Sequence, residues 1–233
     1  MNQQPAYKLV ILLARDPQRD RHDFAAELLE LERTAPIAAA GLLRSVVTTG
    51  LAAVDPADES PFDAAIETWW ARKNDAADWV VSRAFEYEWL APRMRLLAAL
   101  PHAIAGEPGR RWEAEEPYPE GAVQLIALTT AVRSLRKDEF ATAYARHADL
   151  ALAGEESTAR IASLEFTTAP LAPPSRFSAD RYDGVGTIVF ASADALAAEV
   201  ASEHYRDVVA PDAAAFSHAA TSDVMVGTPT VIT

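Results

Sequence analysis

The chain has 233 residues, with 21 basic against 34 acidic side chains for a formal net charge of −13, and no cysteine. The missing thiols exclude a disulfide framework, a thiolate metal site, an iron–sulfur cluster and a cysteine nucleophile. The acidic balance predicts no nucleic-acid or anionic-membrane partner, because like charges repel phosphates. At about 100–200 residues per domain the length corresponds to one large domain or two small ones. The first apolar run, Leu9 to Ala14, ends at Arg15 and Asp16, too soon for a signal-peptide core or a membrane span. A soluble, cytoplasmic protein is the expectation.

In chain order the elements repeat. Lys8 to Ala14 opens a first unit and Val123 to Thr129 a second, each with the length and apolar content of a buried strand. Each is followed by a short polar segment and an amphipathic stretch beginning at a phenylalanine, Phe24 or Phe140, with Asp20 and Asp23 placed as helix-capping acids. The runs 43–49 and 159–166 alternate well enough to be strands. Proline-bearing loops, 50–61 and 167–181, then deliver an aromatic-Asp pair to a further strand: Phe62-Asp63 before 64–70, Tyr182-Asp183 before 184–190. The segments 62–70 and 182–190 align without a gap.

Helices are expected from about Asn74 and Ser192, both good N-cap residues, and last strands at 102–105 and 223–226. The order per unit is β-α-β-β-α-β, the ferredoxin-like arrangement. The predicted domains are 1–105, with an extra helical insert at about 85–100 that the second unit lacks, a charged linker at 106–121 carrying three prolines, and 122–233. A four-stranded sheet with helices on one face needs a cover for the other, so the fold expected is α+β, with the two antiparallel sheets packed together in one chain. Such a chain supplies its own pairing, which predicts a monomer or a homodimer formed away from the sheet faces.

The second unit carries a more specific signal. Tyr182-Asp-Gly-Val-Gly-Thr-Ile-Val-Phe190, then Ala191-Ser-Ala-Asp-Ala-Leu196, then Asp212-Ala-Ala-Ala-Phe216, resembles the EthD-like family of the dimeric α/β-barrel superfamily. Arg146-His-Ala-Asp-Leu150 is similar to that family's His-Ala-Pro-Leu, with Asp149 in place of proline. The first unit matches less well: Thr34-Ala-Pro-Ile37 keeps the Ala-Pro pair with threonine in the histidine's place, and Ala64 replaces the glycine after Asp63. The resemblance implies a pseudo-dimeric α/β barrel and a small-molecule enzyme of catabolic or polyketide-type pathways, working without metal or organic cofactor. Its substrate would be hydrophobic, aromatic or polyketide-like, and its reaction that of a lyase, isomerase, cyclase or oxygenase. The other reading is a non-catalytic protein that binds such a ligand or a pathway partner.

Of the five histidines, no two stand at the spacing that puts paired imidazoles on one helical face, so no metal site is indicated. His147 lies on a helix with Tyr144 three residues before it on a shared face. It is either a half-buried histidine bonded to backbone or an acid/base group, with Tyr144 as hydrogen-bond donor. Asp183, matched by Asp63, is either a backbone-capping carboxylate or an orienting base. Gly184 and Gly186 sit inside a strand, which excludes a dinucleotide loop and suggests close approach of a neighbour. Tyr182, Gly184 and Phe190 are the substrate-contact candidates on that strand. Trp69 and Trp70 must point to opposite faces, and Trp69 is either core or an aromatic wall for a ligand ring. Loop 167–181 is a candidate rim for the cavity.

Overall fold

A computed structural model describes residues 4–53, 60–168, 176–178 and 182–233. The chain forms two compact units, Met1–Glu107 with Leu171–Asp180 and Thr230–Thr233, and Pro108–Pro170 with Arg181–Pro229.

In the first unit the elements are β1 (Tyr7–Leu13), α1 (Arg21–Thr34), β2 (Leu42–Gly50), β3 (Ala64–Trp70), α2 (Lys73–Val80), a π-helix (Ala84–Leu90), α3 (Ala91–Arg93) and β4 (His102–Gly106). The strands are antiparallel in the order β4-β1-β3-β2, the ferredoxin-like arrangement expected. Alternation sends Leu9, Ile11, Leu13, Ile66 and Trp70 into the core with the α1 residues Phe24 and Leu28. Trp70 meets Trp79 there, ring centroids 5.5 Å apart. Trp69 takes the opposite face, where Lys8 Nζ and the Arg44 guanidinium stand 4.5 and 4.0 Å from its ring. On that face Lys8 and Glu67 form a fully buried ion pair at 2.6 Å. Asp20 caps α1, accepting from the N–H groups of His22 and Asp23.

The second unit repeats the plan with β6 (Val123–Thr129), α4 (Lys137–Leu152), a short α5 (Ser157–Arg160), β7 (Ile161–Thr168), β8 (Gly184–Phe190), α6 (Ala193–Ala201), a π-helix (Tyr205–Val209), α7 (Ala210–Phe216) and β9 (Asp223–Val231). Ser192 caps α6 through the Ala195 N–H at 3.1 Å. Its strand order is β9-β6-β8-β7, and β5 (Pro108–Glu113) adds a fifth strand beside β7.

Four expectations need correction. The stretch 106–121 is not purely a linker, since β5 pairs antiparallel with β7; an outer strand needs backbone pairing on one side only, so charged residues suit it. Arg72, not Asn74, precedes α2, and it ties down the first turn through Asp75 at 2.7 Å. The helical insert at 85–100 has a counterpart after all: both units follow the second long helix with a π-helix and a short helix starting Ala-Pro, Ala91-Pro92 and Ala210-Pro211. The loop 167–181 lies mostly outside the described residues. Of its described part, Thr167 and Thr168 end β7, and residues 176–178 belong to the first unit, with Phe177 against Phe85 at 5.5 Å. No helix among the described residues is long and apolar enough to cross a membrane.

Candidate active site

Helix α4 presents Phe140, Tyr144 and Ala148 at four-residue intervals to the sheet, all buried. His147, beside Ala148, lies at the edge of this face with its side chain 20 % exposed. Helix α4, the sheet and the elements α6 to α7 border an open cavity of about 250 Å³. Its walls are mainly apolar, with Leu164, Phe166, Ile188, Phe190 and Phe216 prominent, and His147, Tyr144 and Thr129 are the polar groups near the α4 side.

Tyr144 lies flat on β8 because that strand carries no side chains beneath it. A Cβ at Gly184 would stand 2.9 Å from Tyr144 Cε1, and one at Gly186 would stand 3.0 Å from its hydroxyl oxygen. The two glycines therefore seat a tyrosine ring, which is the close approach their place in the strand suggested. The hydroxyl accepts from Thr129 Oγ1 at 3.1 Å and faces the Ala127 carbonyl at 3.5 Å. Burial pushes the phenol up to about 12, so Tyr144 stays protonated and can donate but does not serve as a base.

His147 Nδ1 stands 3.1 Å from Asp212 Oδ2 on α7, and the other oxygen of Asp212 accepts from Arg146 at 2.5 Å. Its ring also packs edge-on against Phe216, centroids 5.2 Å apart. Desolvation holds the imidazole below its ordinary value, against the opposing hydrogen bond and charge of Asp212. The neutral form therefore prevails near pH 7. The Asp212 contact assigns the proton to Nδ1, which leaves Nε2 with its lone pair as the basic atom.

The remaining candidates separate cleanly. Phe190 lines the cavity with His147 and Tyr144. Asp183 does not line it: its Oδ2 accepts the backbone N–H of Ala131 at 2.9 Å, as Asp63 accepts that of Arg15 at 2.9 Å in the first unit. Both aspartates close the entry of a strand, so the capping reading accounts for the repeat. Tyr182 is also outside the lining and donates to Asp223 at 2.5 Å. Gly184 acts through Tyr144, and Trp69 belongs to the first unit. Asp149 points away from His147 and pairs with Arg111 at 3.2 Å.

Asp212 is the residue that sequence reasoning passed over, though the signal was present. Asp212 and Phe216, four apart on a helix, share one face, and both touch His147. Among the described residues Asp20, His22 and Asp23 are close enough together to hold a cation, but they are exposed and the Asp20 carboxylate already caps α1.

Residues 133–220, from just before α4 to just past α7, match the EthD domain. The second unit is thus EthD-like, as the Tyr-Asp-Gly strand and Asp-x-x-x-Phe implied. No curated protein matches the sequence. Solved structures similar to the chain include an anthrone oxidase-like protein at 10% identity, with 99% of this chain and 95% of that one covered and a TM-score of 0.69. A candidate monooxygenase of Fusobacterium nucleatum is similar at 6% identity, covering 99% and 95%, with a TM-score of 0.63. One of Lactobacillus acidophilus is similar at 13%, covering 99% and 97%, with a TM-score of 0.57. These likenesses span nearly the whole chain and show the fold alone, α+β with two ferredoxin-like units in tandem.

Proposed function

We propose that the cavity of the second unit is an active site in which His147, held by Asp212, exchanges a proton with a hydrophobic small molecule. The observation that carries this reading is the His147–Asp212 pair at the wall of an apolar cavity. A histidine kept only for packing needs neither a carboxylate on one nitrogen nor a ligand-sized space beside it. The cavity exceeds the roughly 150 Å³ that accommodates benzene, so a ligand of one or two rings fits.

In this reading Nε2 removes a proton from a carbon or hydroxyl of the ligand, and Asp212 stabilises the imidazolium that results. Tyr144, permanently protonated, donates to the oxygen on which negative charge develops. Return of the proton to the same or another atom completes exchange, isomerisation or ring closure. Removal of a ring proton is equally the first step towards an oxygenated product, for which molecular oxygen would have to enter as the oxidant. Side chains alone supply this acid–base chemistry. The similarity to an anthrone oxidase-like protein and to candidate monooxygenases agrees with an aromatic or polyketide-like ligand.

Deuterium uptake by one- and two-ring CH-acidic ketones such as 2-tetralone, followed by mass spectrometry, tests the reading. The protein accelerates uptake, and His147→Ala lowers the catalysed rate by about 10²–10⁴, the scale for losing one acid/base group. Ketones that bind in the cavity yet exchange no faster than in buffer would overturn catalysis and leave a ligand-binding protein.

A further inference from the structure

The cavity walls carry an asymmetry of charge. Glu199 lines it from α6, whereas no lysine or arginine is among the described residues that form its surface; Glu165 and Asp223 border it as strand residues whose side chains alternate to the sheet face opposite Leu164, Phe166 and Val224. The cations nearby serve these acids from outside the lining. Ser157 Oγ donates to Glu199 Oε1 at 2.8 Å and Arg160 meets Oε2 at 3.2 Å. Arg146 is turned to Asp212. Hydroxyl-bearing residues are more numerous by contrast: Thr129, Tyr144, Ser217 and Ser222 are all among those that line the cavity.

From this we infer that the site selects against anionic ligands and takes neutral molecules bearing a hydroxyl or carbonyl group. The inference rests on the cavity being the ligand site proposed above, but not on catalysis. A carboxylate entering would lose its water and find no cationic partner, which disfavours it in an apolar environment. It would also meet the carboxylate of Glu199 at the wall. A neutral hydroxyl or carbonyl finds hydroxyl partners instead. The same arrangement suits the acid–base reading, since the charge created on His147 in the reaction is positive and Asp212 is placed to meet it.

Three naphthalene probes of nearly equal size decide the matter: 2-naphthol, 2-naphthoate and 2-naphthylmethylammonium, titrated near neutral pH by calorimetry. 2-Naphthol binds, the ammonium binds within about tenfold of it, and the carboxylate binds at least tenfold more weakly. Glu199→Gln narrows the gap between naphthol and naphthoate. Equal binding of naphthoate would overturn the charge selection while leaving the acid–base reading standing. Rejection of both charged probes alike would show an apolar filter in place of a sign-selective one, and failure of all three to bind would sink the inference outright. Selective binding without deuterium exchange would instead retire the catalytic reading and keep this one.

Discussion

The same corner of the repeated plan is filled in the first unit and hollow in the second. Aligning the helices on Phe24 and Phe140 places Leu28 at the position of Tyr144 and Leu31 at that of His147. Aligning the short helices on their Ala-Pro pairs places Arg93 at the position of Asp212. In the first unit Arg93 is fully buried, meets Glu32 at 2.5 Å and donates to the carbonyls of Trp89 and Ala35. Its guanidinium lies 4.7 Å from the Trp89 ring, which belongs to a packed aromatic cluster with Trp79, Phe85 and Phe177. In the second unit Asp212 of α7 meets a histidine, and the corresponding helices border a cavity. One copy of the duplication thus supplies a rigid core, while the other keeps a cavity with a titratable pair on its wall.

The sharpest way to break this comparison is to remove one partner of each pair. Arg93→Ala leaves Glu32 buried without its counter-charge and costs about 3–5 kcal/mol of stability, read by urea unfolding. Asp212→Asn, at a partly exposed pair, costs about 1 kcal/mol or less. Equal losses at the two sites would mean that the second pair is structural too.

The seating of Tyr144 makes a smaller difference. Gly184→Ala places a methyl group against its ring, and overpacking of this kind costs about 1–3 kcal/mol. Tyr144→Ala in the same background relieves that clash, so the double variant recovers stability relative to what the two single losses predict. Strict additivity in a double-mutant cycle would contradict the contact.

The smallest effect is the dependence on pH. His147 in the folded protein sits below its ordinary value of 6.5, chiefly through desolvation. The unfolded chain therefore binds the proton more readily, and stability present above about pH 6.5 is lost as the pH falls towards the folded value. His147→Gln flattens this part of the stability profile. In an NMR titration the His147 midpoint lies below 6.5, and Asp212→Asn moves it lower still, because Asp212 favours the charged ring. A rise on that substitution would show that the pair does not exist in solution.

Much of the fold was legible because strands read by a period of two. The runs 64–70, 123–129 and 184–190 are strands with those bounds, and their repetition already implied the tandem plan. Aromatic-Asp pairs were legible too: Asp63 and Asp183 do the same local job, accepting a backbone N–H at a strand entry. Such features depend on neighbours close in the chain, so the order of residues determines them by itself. The histidine and tyrosine of the site were visible for the same reason, being one helical turn apart.

What the tertiary structure decided involves partners far apart in sequence. A match on Ala-Pro set Thr34 opposite His147, but Thr34 ends α1, and the buried phenylalanines Phe24 and Phe140 place Leu31 there instead. Short motifs slide along a helix, whereas the face that packs on the sheet does not. The Asp212–His147 contact joins residues 65 positions apart, and only the packing of α7 on α4 brings them to 3.1 Å. The emptiness of the second corner was likewise beyond the sequence. A cavity is set by what neighbouring side chains fail to fill, and leucine, valine and phenylalanine read alike whether they meet one another or stop short around a space for something else.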